Sequence, residues 1–321
     1  MRQRTCLLAA LAAAALLLTA CGTEHAGAGS PGASAGPSRN GVEDPGKDGV
    51  RITSLTLPPG PASPSRSASA SVDDPAGHAG ISVDDPSKDS GIVAFFEITN
   101  KGAQSLTYSV VVTFMSGDGG AMAQQTATVR DVGPGKTVRG SVRAGHLPPS
   151  TPRVTRAKVL EVTKVPAGEA PAAPGTCPAS GIRVSADEGN AAMGLRVVGL
   201  HLDNCGTRDY SVEGYPLLEL MDSDFNAVHG ITIRHGGGVT TEAGPDEQPR
   251  PVTLKPGESA IAALVWRNTT LSGTAVNVPH VRVRAKAGAE PVTVTPHLDL
   301  GTTGELGVKP WTRAKATGAR E

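Results

Sequence analysis

The chain has 321 residues, with 30 basic and 30 acidic side chains and a formal net charge of zero. That balance excludes the basic field that nucleic-acid binding requires. Aromatic content is 3%, against 40 Gly and 26 Pro, so cores have to be built from Val, Leu, Ile and Ala, and the length suffices for two modest domains with linkers.

Arg2 and Arg4 precede an unbroken apolar run from Leu7 to Leu18, which ends in Leu18-Thr19-Ala20-Cys21-Gly22. A positive start, a short apolar run and small residues at its end make a secretory signal peptide. The run is about a dozen residues, whereas a helix needs about 20 to cross a bilayer, so a spanning segment is the poorer reading. Leu-Thr-Ala-Cys resembles the lipobox of bacterial lipoproteins. The resemblance implies removal of residues 1–20, lipidation of Cys21, and anchoring to the cell membrane on its extracytoplasmic face. No Arg-Arg pair precedes the run, so export of an unfolded chain is expected rather than twin-arginine export. Losing Arg2 and Arg4 takes the formal charge from zero to −2.

Residues 21–49 read as a flexible tether of Gly, Ala, Ser and Pro, too poor in apolar side chains to offset the entropy of ordering. Val50 to Leu57 alternates as a strand, and Pro58 to Ser71 is again low in complexity. Val42-Glu43-Asp44-Pro45-Gly46-Lys47-Asp48 recurs as Val83-Asp84-Asp85-Pro86-Ser87-Lys88-Asp89, with a shorter copy at Val72-Asp73-Asp74-Pro75. Clustered carboxylates suit a hard cation. Asp-Pro pairs also initiate turns, and the nearby Lys residues favour that simpler reading.

In the first folded region, 50–165, strands are expected at Gly91–Thr99, Leu106–Phe114, Ala121–Asp131, Lys136–Arg143 and Arg153–Val162, with Gly- and Asn-rich breaks between them. A linker, 166–176, leads to the second region, 177–310. There the expected strands are Ile182–Ser185, Gly194–Asp203, Tyr210–Met221, Val228–Arg234, Ser259–Trp266, Val276–Ala285 and Val292–Thr295, before a tail at 311–321. Short strands broken by turn residues, with no sustained helical period, predict an all-β chain of two Ig-like antiparallel β-sandwiches in tandem.

The two regions parallel each other in chain order. Asn100-Lys101-Gly102 followed by Tyr108-Ser109-Val110 matches Asn204-Cys205-Gly206 followed by Tyr210-Ser211-Val212. Downstream, Gly133-Pro134-Gly135 matches Lys255-Pro256-Gly257. Such recurrence points to a shared architecture, although both are generic turn signals.

Cys6 leaves with the signal peptide and Cys21 takes the lipid, so Cys177 and Cys205 remain to form a disulfide in an oxidising envelope. Neither has a Cys-x-x-Cys partner, which argues against a metal site. Cys177-Pro178, Leu202-Asp203-Asn204-Cys205-Gly206, Gly214-Tyr215-Pro216 and Leu254-Lys255-Pro256-Gly257 resemble an uncharacterised domain family of actinobacterial secreted and lipid-anchored proteins. The resemblance covers about residues 177–295. It implies a β-sandwich in an envelope protein and carries no known activity.

No Gly-x-Ser-x-Gly elbow, Ser-x-x-Lys or His-Glu-x-x-His constellation survives inspection, so no enzyme and no cofactor are expected. Asp222-Ser223-Asp224-Phe225-Asn226 begins like a calcium loop, but Ala227 and Ile233 stand where Gly and Glu are required, which leaves a hairpin turn. His229 and His235, with His201 or Met221, are candidate ligands for copper or zinc. The long Gly- and Pro-rich stretch from Arg234 to Arg250 is the expected partner surface. Its charged members are Arg234, His235, Glu242, Asp246, Glu247 and Arg250, and their mixed signs suit specific polar contact. The sequence thus predicts a non-enzymatic, lipid-anchored module that binds an envelope protein or wall component. A metal-binding lipoprotein using His229 and His235, and an enzyme with an unrecognised site, stand as alternatives.

Overall fold

The computed structural model describes residues 38–41, 44–58, 89–148, 150–236 and 248–315. The first sandwich is made of β1 (Ser38–Gly41), β2 (Val50–Leu57), β3 (Val93–Thr99), β4 (Leu106–Ser116), β5 (Ala121–Val132), β6 (Thr137–Arg143) and β7 (Val154–Pro166). One antiparallel sheet runs β1-β2-β3-β6 and the other β5-β4-β7. Period-two alternation aims Ile52, Ala94, Phe96 and Ile98 from the first sheet at Tyr108, Val110, Val112 and Phe114 from the second, and these residues form one core. On the outer face, Glu97 lies between Arg51 and Arg139 in register and pairs with both, at 2.8 and 3.0 Å. Arg139 and then Arg51 hold the Glu97 carboxyl below its ordinary range.

Described structure is present before the expected boundary at Val50. β1 pairs with β2, and the Asp44 carboxylate accepts the Gly46 and Ile52 backbone N–H groups at 3.2 and 3.0 Å. The first Asp-Pro copy, described from Asp44 to Asp48, is therefore a turn leading into β2. The copy at 72–75 and most of that at 83–89 lie outside the described residues.

In the second sandwich, β8 (Ile182–Ala186), β9 (Asn190–Ala192), β10 (Leu195–Asn204), β11 (Tyr210–Val212), β12 (Leu217–Met221) and β13 (Thr232–His235) come before the described gap. After it follow β14 (Val252–Leu254), β15 (Ser259–Arg267), β16 (Asn277–Val278), β17 (His280–Arg284), β18 (Val292–Val294), β19 (Leu298–Asp299), β20 (Glu305–Val308) and β21 (Thr312–Arg313). One sheet runs β13-β20-β15-β10-β8; opposite it stand β12-β17-β18 and the pair β11-β14. β13 and β20 are parallel, and the other pairings are antiparallel. A second, separate core gathers Leu200, Leu202, Leu254, Leu264, Val281 and Leu306.

The expected tail at 311 is corrected. β21 pairs with β15, and the Trp311 ring is buried at 1% exposure, with its indole N–H donating to the Ala285 carbonyl at 2.9 Å. With the buried Trp266 it gives a largely aliphatic core two large apolar rings. The expected strand Tyr210–Met221 is two strands, because Gly214 takes φ +85° and Pro216 follows it. Of Val228–Arg234, only the last part, within β13, is a strand.

The parallel between the regions is structural. Asn100 Nδ2 donates to the Gln104 and Val132 carbonyls at 2.8 and 2.7 Å, and Oδ1 accepts the Gly102 N–H at 2.9 Å. Asn204 Nδ2 donates to the Arg208 and Leu254 carbonyls at 2.8 and 2.9 Å, and Oδ1 accepts the Gly206 N–H at 3.2 Å. Both backbones close the same way: Asn100 with Lys136 and Gly135, Asn204 with Glu258 and Gly257. Each asparagine is buried and satisfies its carboxamide while tying a turn to the strand across from it. The correspondence continues along β3-β6 and β10-β15. The Thr99–Thr137 hydroxyl pair stands where Ser259 donates to Asp203, and the Phe96–Gly140 pair stands where Leu200 faces Ala262. A large residue against none, or a medium one against a methyl, fills a similar volume. One expected match shifts: Leu106 pairs with Val132 as Tyr210 pairs with Leu254, so Tyr210 stands at the place of Leu106, two residues from Tyr108.

Candidate functional site

Among the described residues, side chains join the second sandwich to the first and to the linker between them. Glu169, in the single 3-10 turn Ala167–Glu169, accepts Arg282 Nε and Thr293 Oγ1, each at 2.7 Å. The segment 166–176 is thus tied to the second sandwich at Glu169. His297 Nε2 lies 3.2 Å from Glu161 Oε1 on β7. Phe225 packs against the core of the first sandwich.

Phe225 reaches across because of the turn that carries it. Asp222 Oδ1 accepts the backbone N–H groups of Asp224 and Asn226, both at 2.9 Å, and Phe225 N–H donates to the Asp222 carbonyl. These bonds fold the chain so tightly that Phe225 takes φ +66°, a conformation that costs a bulky residue free energy. The same N–H donors hold the Asp222 carboxyl below its ordinary range. The stretch with a partial calcium-loop pattern is therefore a closed hairpin turn.

Beside this contact lies a cleft of about 740 Å³, lined by Asp48, Lys101, Tyr108 and Lys164 of the first sandwich and Asp224 and Phe225 of the second. Its size falls within the range of about 300–1,000 Å³ typical of small-ligand sites. Lys164 Nζ stands 4.0 Å from Asp48 Oδ1. Burial first, and then the Asp48 charge, raise the Tyr108 phenol above its ordinary range.

The Cys177–Cys205 disulfide is formed, with Cα atoms 5.6 Å apart. It fastens the entry of the second sandwich to the turn that Asn204 ties. Of the expected partner surface, Arg234 is on β13 and paired with Glu305 at 2.7 Å, and the His235 ring is stacked on Tyr215 with centroids 4.1 Å apart. That stack, with the Trp311 N–H donating to the Gly214 carbonyl, gives the Gly-Tyr-Pro motif a packing role. Glu242, Asp246 and Glu247 lie outside the described residues, as do residues 1–20 and Cys21; Arg250 is described and exposed. His229 is exposed on the loop before β13. Among the described residues, no group of three or more His, Cys, Asp or Glu is placed to hold a metal, and no helix is long and apolar enough to cross a membrane.

Sequence reasoning missed the cleft. Its residues come from four separate stretches, and the one local signal was the partial calcium-loop pattern around Phe225.

No curated protein matches the chain. Residues 177–312 match the family described as Domain of unknown function (DUF4232), and that span closes on β21 just past the buried Trp311.

Proposed function

We propose that the protein is a non-enzymatic binding module, held to the extracytoplasmic face of the cell membrane by lipid on Cys21, and that its ligand enters the cleft between the two sandwiches. The lipobox resemblance at Leu18–Cys21 supports the anchoring. The observation that carries the binding site is the Phe225 turn: its φ of +66° stores strain at a place where both domains line one cavity. Backbone strain at a cavity is a common mark of a ligand clamp. The finer assignment of both sandwiches as Ig-like belongs to the same reading, supported by the matching asparagine turns.

The cleft replaces the Arg234–Arg250 loop as the preferred surface, since the described charges at its start, Arg234 and His235, already have partners within the fold. A photo-crosslinking residue placed at Ala103, on the cleft wall, should form an adduct in intact cells, while the same residue at exposed Arg130 should not. Equal labelling at both positions, or none at Ala103, would move the site elsewhere.

A further inference from the structure

The cleft presents charges of both signs around an aromatic floor. Tyr108, Leu106 and Phe225 supply the apolar part, Lys101 and Lys164 the positive groups, and Asp48 and Asp224 the negative ones. The Lys164–Asp48 separation of 4.0 Å is at the outer limit of an ion pair, and the side chains keep 31% and 44% exposure. A pair so long and so wet gains little from its own attraction, so a ligand that supplies a closer partner to each member loses little by separating them.

A simple anion or cation would satisfy one sign and leave the other facing it. A lipid tail would strip water from four charged side chains and give none of them a partner, which costs free energy. A divalent cation is opposed by two lysines, and no three-ligand group is present among the described residues. A ligand that carries both an amine and a carboxylate, joined by small aliphatic groups, offers a partner to each sign of charge and to the apolar part of the lining. The volume, about 740 Å³, is ample for a few residues of extended chain.

We infer that the cleft takes a short peptide with both termini free, its amine directed to Asp48 or Asp224 and its carboxylate to Lys164 or Lys101. The inference rests on the cleft being the binding site and adds the chemical class of ligand. No covalent step is involved; recognition is by charge-assisted hydrogen bonds and apolar contact with the ring faces.

Equilibrium dialysis of the mature chain against trialanine, N-acetyl-trialanine and trialanine amide tests it. The free peptide should bind, and each blocked form should bind at least about tenfold more weakly, the loss of roughly one charge-assisted bond. Asp48→Asn should reduce the difference between the free and acetylated forms, and Lys164→Gln that between the free and amidated forms. Both side chains are partly exposed, so near-wild-type melting is expected and serves as the folding control. Equal binding of all three peptides, still weakened by Phe225→Ala, would overturn the ligand class and keep the cleft. Binding untouched by Asp48→Asn, Lys164→Gln and Phe225→Ala would overturn both class and site. No binding of any of the three peptides would overturn the class.

Discussion

Phe225 and His280 face each other with ring centroids 4.9 Å apart, one reaching from the second sandwich onto the first and the other buried behind it on β17. His280 is 4% exposed, and its Nδ1 has no hydrogen-bond partner among the described residues. Burial first, and then the positive charges of His297 and Lys164, push its pKa down to about 4, with the Asp222 carboxylate opposing them. The domain contact thus rests on an imidazole kept neutral.

A pH dependence follows. Because the folded pKa lies below the ordinary 6.5, the neutral ring's contribution is complete above about pH 6.5 and is lost as pH falls towards about 4. The melting temperature of the wild-type second domain should fall between pH 7 and pH 4.5 more steeply than that of His280→Gln. Parallel pH profiles for the two proteins would contradict the assignment to His280.

Asn204→Ala would leave the Leu254 and Arg208 carbonyls and the Gly206 N–H without their partner. Of these bonds the one to Leu254 is buried and the other two are partly open to water, so the loss should cost about 1–3 kcal/mol. Calorimetry should show the second domain's transition lowered and the first's nearly unchanged. Asn100→Ala should give the reverse. An equal shift of both transitions in either variant would argue that the turns do not act within separate cores.

Trp311 predicts where the domain ends. Trp311→Ala should cost about 3–5 kcal/mol, as other large aromatic truncations in cores do. A chain ending after Pro310 should fail to fold its second domain, while one ending after Lys315 should melt like the full chain. Denaturant unfolding of the two truncations separates the outcomes; equal stability would return residues 311–315 to the status of a tail.

Removing the bridge should be local. Cys177 and Cys205 are separated by 28 positions in sequence, and the chain-entropy model assigns a loop of that length about 3.5 kcal/mol. Cys205→Ala should therefore lower the second transition alone, read by circular dichroism. Free thiols in unreduced wild-type protein would contradict the pairing.

The strands were legible where burial alternates. Val50–Leu57 and Ile182–Ala186 emerge close to their expected bounds, and the Asn-x-Gly and Pro-Gly landmarks mark turns held by one hydrogen-bond pattern. The break at Gly214 is hidden in the sequence, because a glycine inside an apolar run does not announce its positive φ. β20 and Trp311 are hard to see in the sequence because Gly and Pro flank them, whereas long-range pairing buries both. The Tyr108–Tyr210 match was two residues out, an error that period-two alternation hides, since both registers keep the ring on the same face. The cleft could not be read at all: Asp48, Tyr108, Lys164 and Phe225 are far apart in sequence, and only the docking of one sandwich on the other joins them.

Mass spectrometry of the mature N-terminus tests the account most directly, because the anchor decides where the cleft can meet a ligand. The account predicts a first residue at Cys21, bearing a diacylglycerol group, in the membrane fraction, and its loss from that fraction in Cys21→Ser. A mature N-terminus without lipid, or a membrane fraction unchanged by Cys21→Ser, would contradict it.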